Sequence, residues 1–245
     1  AMIIGYFVKY LNKSINLPKN WLAFKSTFLI PLLSSLFCMF VMVFVITPVG
    51  GWINLQIRAL LEAAGAAGQF AYALVLSATT AFDLGGPVNK AAGFVALGFT
   101  TEKVLPITAR TIAIVTPSIG LGLSTLIDKK LVGRRVYNSE FYDAGKTSIF
   151  LAFMGISEGA IPFALENPGF TIPLYVVSSV IGAFSGIALG AVQWFPESAV
   201  WAWPLVKNLP AYMIGIAVGS VIIAVSNVLY RNKLIKDGKL EVDEY

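Results

Sequence analysis

The 245-residue chain is 57% hydrophobic and 13% charged, with a formal net charge of +5 and a mean hydropathy of +0.76. A soluble domain typically carries roughly 25% charged residues, so this balance excludes an ordinary globular domain. Zero histidines and one cysteine exclude an internal disulfide, a soft-metal site and an imidazole acid–base catalyst, and no cofactor is expected.

Four runs are long enough to cross a bilayer, which takes about 20 predominantly apolar residues. They are 28–48 ("FLIPLLSSLFCMFVMVFVITP"), 105–127, 171–193 and 209–230. Because the runs are continuous, without the alternation of a barrel strand, they predict an all-α polytopic membrane protein. Cys38, inside the first run, reads as a packing residue. Lys9, Lys13, Lys19 and Lys25 flank the start of that run; Lys129, Lys130, Arg134 and Arg135 follow the second; Arg231, Lys233, Lys236 and Lys239 follow the last. By the positive-inside rule all three clusters face the cytoplasm, so the basic excess marks orientation and not nucleic-acid binding. Segments 49–65 and 194–208 then belong on the opposite side, where Trp194, Trp201 and Trp203 suit an interfacial belt. Glu62, Glu102, Lys103 and Arg110 are placed at interfaces, and the tail "KDGKLEVDEY" in solvent.

This topology closes only if the remaining apolar segments, about 66–102 and 147–167, each make an even number of crossings. Both are broken at the centre, the first by "DLGGPVNK" and the second by "GISEGAIPF". Two short apolar halves joined by a Gly/Pro break predict a re-entrant hairpin or a pair of broken helices. Such backbone survives at membrane depth only where protein buries it or it lines a cavity.

Asp83, Lys90 and Glu158 would each carry a cost of about 2.5–3.5 kcal/mol at the bilayer centre. Pro87 suits the first position of a helix, whose free amides then face the break. Lys90, one turn in, is expected within reach of Asp83. An internal Asp83–Lys90 ion pair that merely locks the half-helices is the alternative to a binding role. Gly155 and Gly159 let the backbone turn around Glu158, and Pro162 frees a carbonyl. Glu158 has no basic residue within seven positions on either side, which favours a functional role. Carboxylate, amide and exposed backbone together suit sugar hydroxyls, since a carboxylate accepts from two neighbouring hydroxyls. Paired interrupted segments point to a transporter's binding site. An ion-coupled transporter, with Asp83 and Glu158 binding Na⁺ or H⁺, is the competing reading, and a non-transporting fragment is a third. An intramembrane enzyme is disfavoured for want of a nucleophile–base pair.

The blocks "AFDLGGPVNKAA" and "GISEGAIPF" closely resemble the two signature segments of the fructose-family enzyme IIC, the membrane domain of the sugar phosphotransferase system. Leu84 stands where the family has Met, and Ser157 where it has Thr. The likeness continues through the basic stretch Lys13–Lys19 and "IPLLSS" at 30–35. It implies a single enzyme IIC-like transmembrane domain over 1–245. Family members begin with further residues and spans, so the chain is expected to be the C-terminal portion of a longer protein.

The resemblance also implies sugar translocation coupled to phosphorylation by an enzyme IIB, phosphorylated on cysteine and supplied through IIA. Glu158 matches the family's sugar-binding glutamate, and Asp83, Asn89 and Lys90 match the other block. Gly155, Ser157 and Gly159 complete the implied substrate site, with no catalytic residue and no metal. A homodimer in the bacterial inner membrane with a cytoplasmic C-terminus is expected. The family's Pro-His-Gly-Gly segment reads Pro196-Glu197-Ser198 here. That departure points to a related hexose, a hexose derivative or a glycoside, with Glu197 and Trp194 as further candidate contacts.

Overall fold

The computed structural model describes residues 2–242, so the last three residues of the tail read as solvated lie outside the described residues. Among the described residues there is no strand, only one antiparallel backbone bridge between Val192 and Lys207. The chain is an all-α polytopic membrane protein. Its internal contacts fall into two units, residues 1–55 and 56–245.

In the first unit, α1 (Met2–Ser14) packs on α3 (Ile30–Val41). The Phe7 and Phe37 rings stack at 3.9 Å, and Lys25 Nζ donates to Asn12 O at 2.8 Å. The short α2 (Leu22–Phe24) precedes a π-helical turn, Lys25–Leu29, and a second π-helical turn, Met42–Ile46, follows α3. α4 (Thr47–Ala66) carries residues of both units. The helical stretch Lys19–Ala66 thus runs 48 residues and contains the expected span 28–48. Phe40, Met42, Phe44 and Val49 are exposed along it, an apolar surface suited to acyl chains.

The second unit is organised around α7 (Thr108–Val132), which packs against α5, α8, α10 and α11. At about 1.5 Å per residue its 25 residues reach about 37 Å, more than the ~30 Å hydrocarbon thickness. α10 (Pro168–Ala188) and α11 (Leu209–Lys236) cross through small residues. A Cβ on Gly182 would lie 2.6 Å from Gly215 O, and one on Gly215 would lie 2.7 Å from Gly182 O. Gly182/Gly186 and Gly215/Gly219 have the four-residue spacing that lets membrane helices approach closely.

Two helix–break–helix segments fill the space beside α7. α5 (Gln69–Phe82) and α6 (Pro87–Thr101) form an antiparallel hairpin. Asn89 Nδ2 donates to Thr80 O near the break, and Tyr72 meets Phe99 at the open end with ring centroids 5.8 Å apart. α8 (Ser139–Phe153) and α9 (Ile161–Glu166) form the second hairpin. It starts and finishes against Arg231 of α11, whose guanidinium lies over the Tyr137 and Phe141 rings and pairs with Glu166.

The first hairpin opens beside the N-terminus of α7, and the second beside its C-terminus, where Tyr142 Oη donates to Asp128 at 2.5 Å. Their tips meet along the middle of that helix. Ser118, the eleventh of the 25 residues of α7, donates to Ser157 O at 2.9 Å and accepts from Ser148 Oγ at 2.9 Å.

The apolar runs at 105–127, 171–193 and 209–230 correspond to α7, α10 and α11, with shifted ends. Hydropathy marks where a helix is apolar, whereas α7 and α11 continue through Lys129–Lys130 and Arg231–Lys236. α10 instead stops at Ala188 because Gly190 turns left-handed, with φ +89, into the Val192–Lys207 bridge. The second and third basic clusters are neighbours, joined by Arg134 Nε to Asn232 Oδ1 at 2.8 Å. Arg231, read as a loop charge, is instead buried, because Glu166 and two aromatic rings surround it. Trp203, read as part of an interfacial belt, is also buried. It packs on Phe153 and Tyr212 and donates from Nε1 to Ser198 O at 3.1 Å.

Candidate functional site

The tip of the first hairpin is made by four residues in unlike conformations. Leu84 (φ 47) and Gly85 (φ 96) are left-handed, Gly86 is extended, and Pro87 opens α6 without needing an amide partner. Left-handed backbone is uncommon outside glycine, so the turn at Leu84 is held by its surroundings. Asp83 provides the hold: its carboxylate accepts from Val88 N at 2.7 Å and Asn89 N at 3.0 Å. Those are amides that a helix start otherwise leaves unpaired. The expected Asp83–Lys90 ion pair does not form among the described residues, because these fixed amides already engage the carboxylate.

The second tip turns at Gly155, with φ 76, and continues through buried Ser157 into a 3₁₀ turn at Glu158–Ala160. Gly159 lies against α8, where a Cβ would sit 2.8 Å from Ser148 Cα. Its role is close packing.

A third element reaches the same place. The loop after α10 is pinned by Gln193, a fully buried side chain. Its amide nitrogen Nε2 donates to Phe195 O and Glu197 O at 2.9 and 2.6 Å, and Oε1 accepts from Thr111 Oγ1 at 2.8 Å. Gln193 N donates to Thr108 Oγ1 at 2.8 Å. This anchors the loop to the start of α7 and carries Glu197 to the tips. Glu197 Oε1 accepts from Ser198 N at 2.8 Å and Ala199 N at 3.1 Å. Gly155 makes room for it: a Cβ there would lie 2.9 Å from Ala199 N.

The three elements enclose a polar cavity of about 200 Å³ whose lining includes Asn89, Lys90, Arg110, Ser157, Glu158 and Glu197. Of the residues singled out in the sequence, Gly155 also lines it. Asp83 stands behind the wall as a cap, Gly159 packs on Ser148, and exposed Trp194 is outside the lining.

Arg110, expected at an interface, belongs in the cavity wall. Its Nη1 donates to Asn89 O at 2.9 Å and Thr80 Oγ1 at 3.2 Å, and Nη2 donates to Asn89 Oδ1 at 3.0 Å. The guanidinium braces the first hairpin tip against α7. The signal that could have found it is a cation inside the first turn of the apolar run "ITARTIAIV", a rare and functional position within a membrane segment. Chemically, the cavity opposes carboxylates to cationic and amide donors. Such a lining offers charge-assisted hydrogen bonds of both polarities to a polar ligand.

No protein-family model and no solved structure matches the chain. It is 58% identical over 243 residues to the fructose-like permease IIC component 1 of Escherichia coli (strain K12), covering 99% of this chain and 59% of that protein. It is 31% identical over 240 residues to the fructose-like permease IIC component 2 of the same strain, covering 97% of this chain and 65% of that protein. It is also 33% identical over 219 residues to the PTS system fructose-specific EIIB'BC component of Rhodobacter capsulatus, covering 87% of this chain and 37% of that protein. The chain spans 59% of the length of the first of these relatives.

Proposed function

This chain belongs to the fructose-family enzyme IIC permeases, and from that premise we propose that it carries a fructose-like sugar, a hexose derivative or a glycoside across the bacterial inner membrane. A phosphocysteine enzyme IIB partner phosphorylates the sugar at the cytoplasmic face. The observation that carries this reading is the convergence of two interrupted hairpins on one polar cavity containing Glu158. In it, Glu158 accepts from neighbouring sugar hydroxyls, Asn89 and Ser157 orient the ring, and Lys90 donates to a ring substituent. Glu197, in the loop pinned by Gln193, is a further acceptor. Asp83, Gly155 and Gly159 act through the backbone, holding the tips in shape.

The Rhodobacter capsulatus relative is named as an EIIB'BC component, which supports a IIB partner for this chain. The basic ends of α7 and α11 face the cytoplasm with the C-terminus, and the two hairpins re-enter the membrane from opposite faces. Residues 1–245 act as one enzyme IIC-like transmembrane domain within a homodimer.

Calorimetric titration of the purified protein in detergent with fructose, mannose and mannitol tests the reading. Saturable binding, weakened in Glu158→Gln, is expected. A folded protein that binds none of them and is stabilised by Na⁺ instead would overturn it.

A further inference from the structure

Beside the polar cavity lies a second lobe of about 240 Å³. The two share Lys90, Arg110 and Pro196, while Phe94, Leu97 and Ile107 make the rest of the second lobe apolar. Charge is therefore segregated: Glu158 and Glu197 line the first lobe alone, and the two cations stand at the junction and line both. Neither Lys90 nor Arg110 forms an ion pair among the described residues. Arg110 directs its hydrogen bonds at neutral acceptors on Thr80 and Asn89. Gly93 is what lets the guanidinium lie at the junction, since a Cβ there would sit 2.7 Å from Arg110 Cζ.

A neutral hexose would meet the carboxylates of the first lobe and bring no counter-charge to the second, whose only charged lining residues are Lys90 and Arg110, and a cation facing an apolar wall without an anion is costly. An anionic group on the sugar removes that cost, because a guanidinium fork binds carboxylate and phosphate oxygens through charge-assisted hydrogen bonds. We propose that the substrate of this site is a hexose bearing an anionic substituent. Its ring sits in the lobe of Glu158 and its carboxylate or phosphate ester at Lys90 and Arg110. This inference rests on the sugar-permease reading and narrows its substrate class.

The test is calorimetric titration of the purified protein with fructose and mannose, each beside its uronate and its 6-phosphate, at low and high salt. An anionic derivative is expected to bind roughly 10–100-fold tighter than its neutral parent, the worth of a hydrogen bond to a charged group. Uronate and 6-phosphate distinguish the two kinds of anion. The preference should shrink with salt and collapse in Arg110→Gln and Lys90→Gln. If Arg110→Gln fails to fold because the Asn89 brace is lost, Lys90→Gln carries the test, since Lys90 is exposed and braces nothing. Neutral hexoses that bind as tightly as both anionic derivatives would overturn the inference and leave the sugar-permease reading standing. A folded protein that binds none of the six would overturn both.

Discussion

Gly85 and Glu158 meet tip to tip: a Cβ added to Gly85 would overlap Glu158 Oε1, and Gly85 itself holds φ +96. Backbone freedom and side-chain room are thus required at one residue. Gly85→Ala should destabilise the fold by more than about 1 kcal/mol, as alanine does at positive φ, and should displace the Glu158 carboxylate. A double-mutant cycle with Glu158→Ala, read by thermal unfolding in detergent, should show a coupling of about 0.5–3 kcal/mol. Additive effects would mean that the tips do not touch.

Glu158→Gln keeps the shape of the site and removes its charge. Sugar affinity should fall by about 1.5–3 kcal/mol, the range for hydrogen bonds to charged groups, with little change in unfolding temperature, because Glu158 is exposed and lines the cavity. Titration calorimetry beside a thermal melt separates the two effects.

Asp83 and Lys90 should respond differently to neutralisation, although they are neighbours at one break. Asp83 caps α6, so Asp83→Ala should cost about 0.5–2 kcal/mol of stability, as loss of a helix cap does. Lys90→Met breaks no ion pair or hydrogen bond among the described residues and should stay within about 0.5 kcal/mol of the parent in stability, while ligand affinity falls. Equal destabilisation by both would restore the internal ion pair as their shared role.

Arg231 is buried against Glu166 and two aromatic rings, and Nε donates to Val136 O at 2.7 Å. Arg231→Met should cost about 3–5 kcal/mol, because removing one partner strands the other charge. Adding Glu166→Met should recover part of that loss. Denaturant titration of the single and double variants in detergent measures both.

Much of this architecture is legible in the sequence because membrane solvent imposes simple rules. Uninterrupted apolar runs become helices, and the Gly/Pro breaks at 85–87 and 155–162 fall where the hairpins turn. What the sequence hides is which side chains converge across long separations. Arg110 sits one turn into an apolar run and looks like a boundary charge, yet it reaches Asn89 across 21 residues. Gln193 carries no local signal, and its part follows from meeting Thr108 and Thr111, more than 80 residues earlier in the chain. Trp203 has an interfacial composition around it but a buried environment, because Phe153 and Tyr212 close over it. Asp83 and Lys90 flank one break and are close in sequence, but Asp83 is engaged by backbone amides that hydropathy cannot weigh.

The brace between Asn89 and Arg110 also sets an order for biosynthesis. The polar tip of the first hairpin leaves the ribosome before α7 supplies its guanidinium, and well before Tyr175 of α10 donates to Phe82 O at 3.0 Å. Until then its open backbone and charges have no protein to shelter them, and bare lipid does not tolerate such groups. The hairpin is therefore expected to wait at the membrane surface or within the insertion machinery. A nascent chain arrested before Thr108 should leave it unintegrated, and one arrested after α10 should hold it in place.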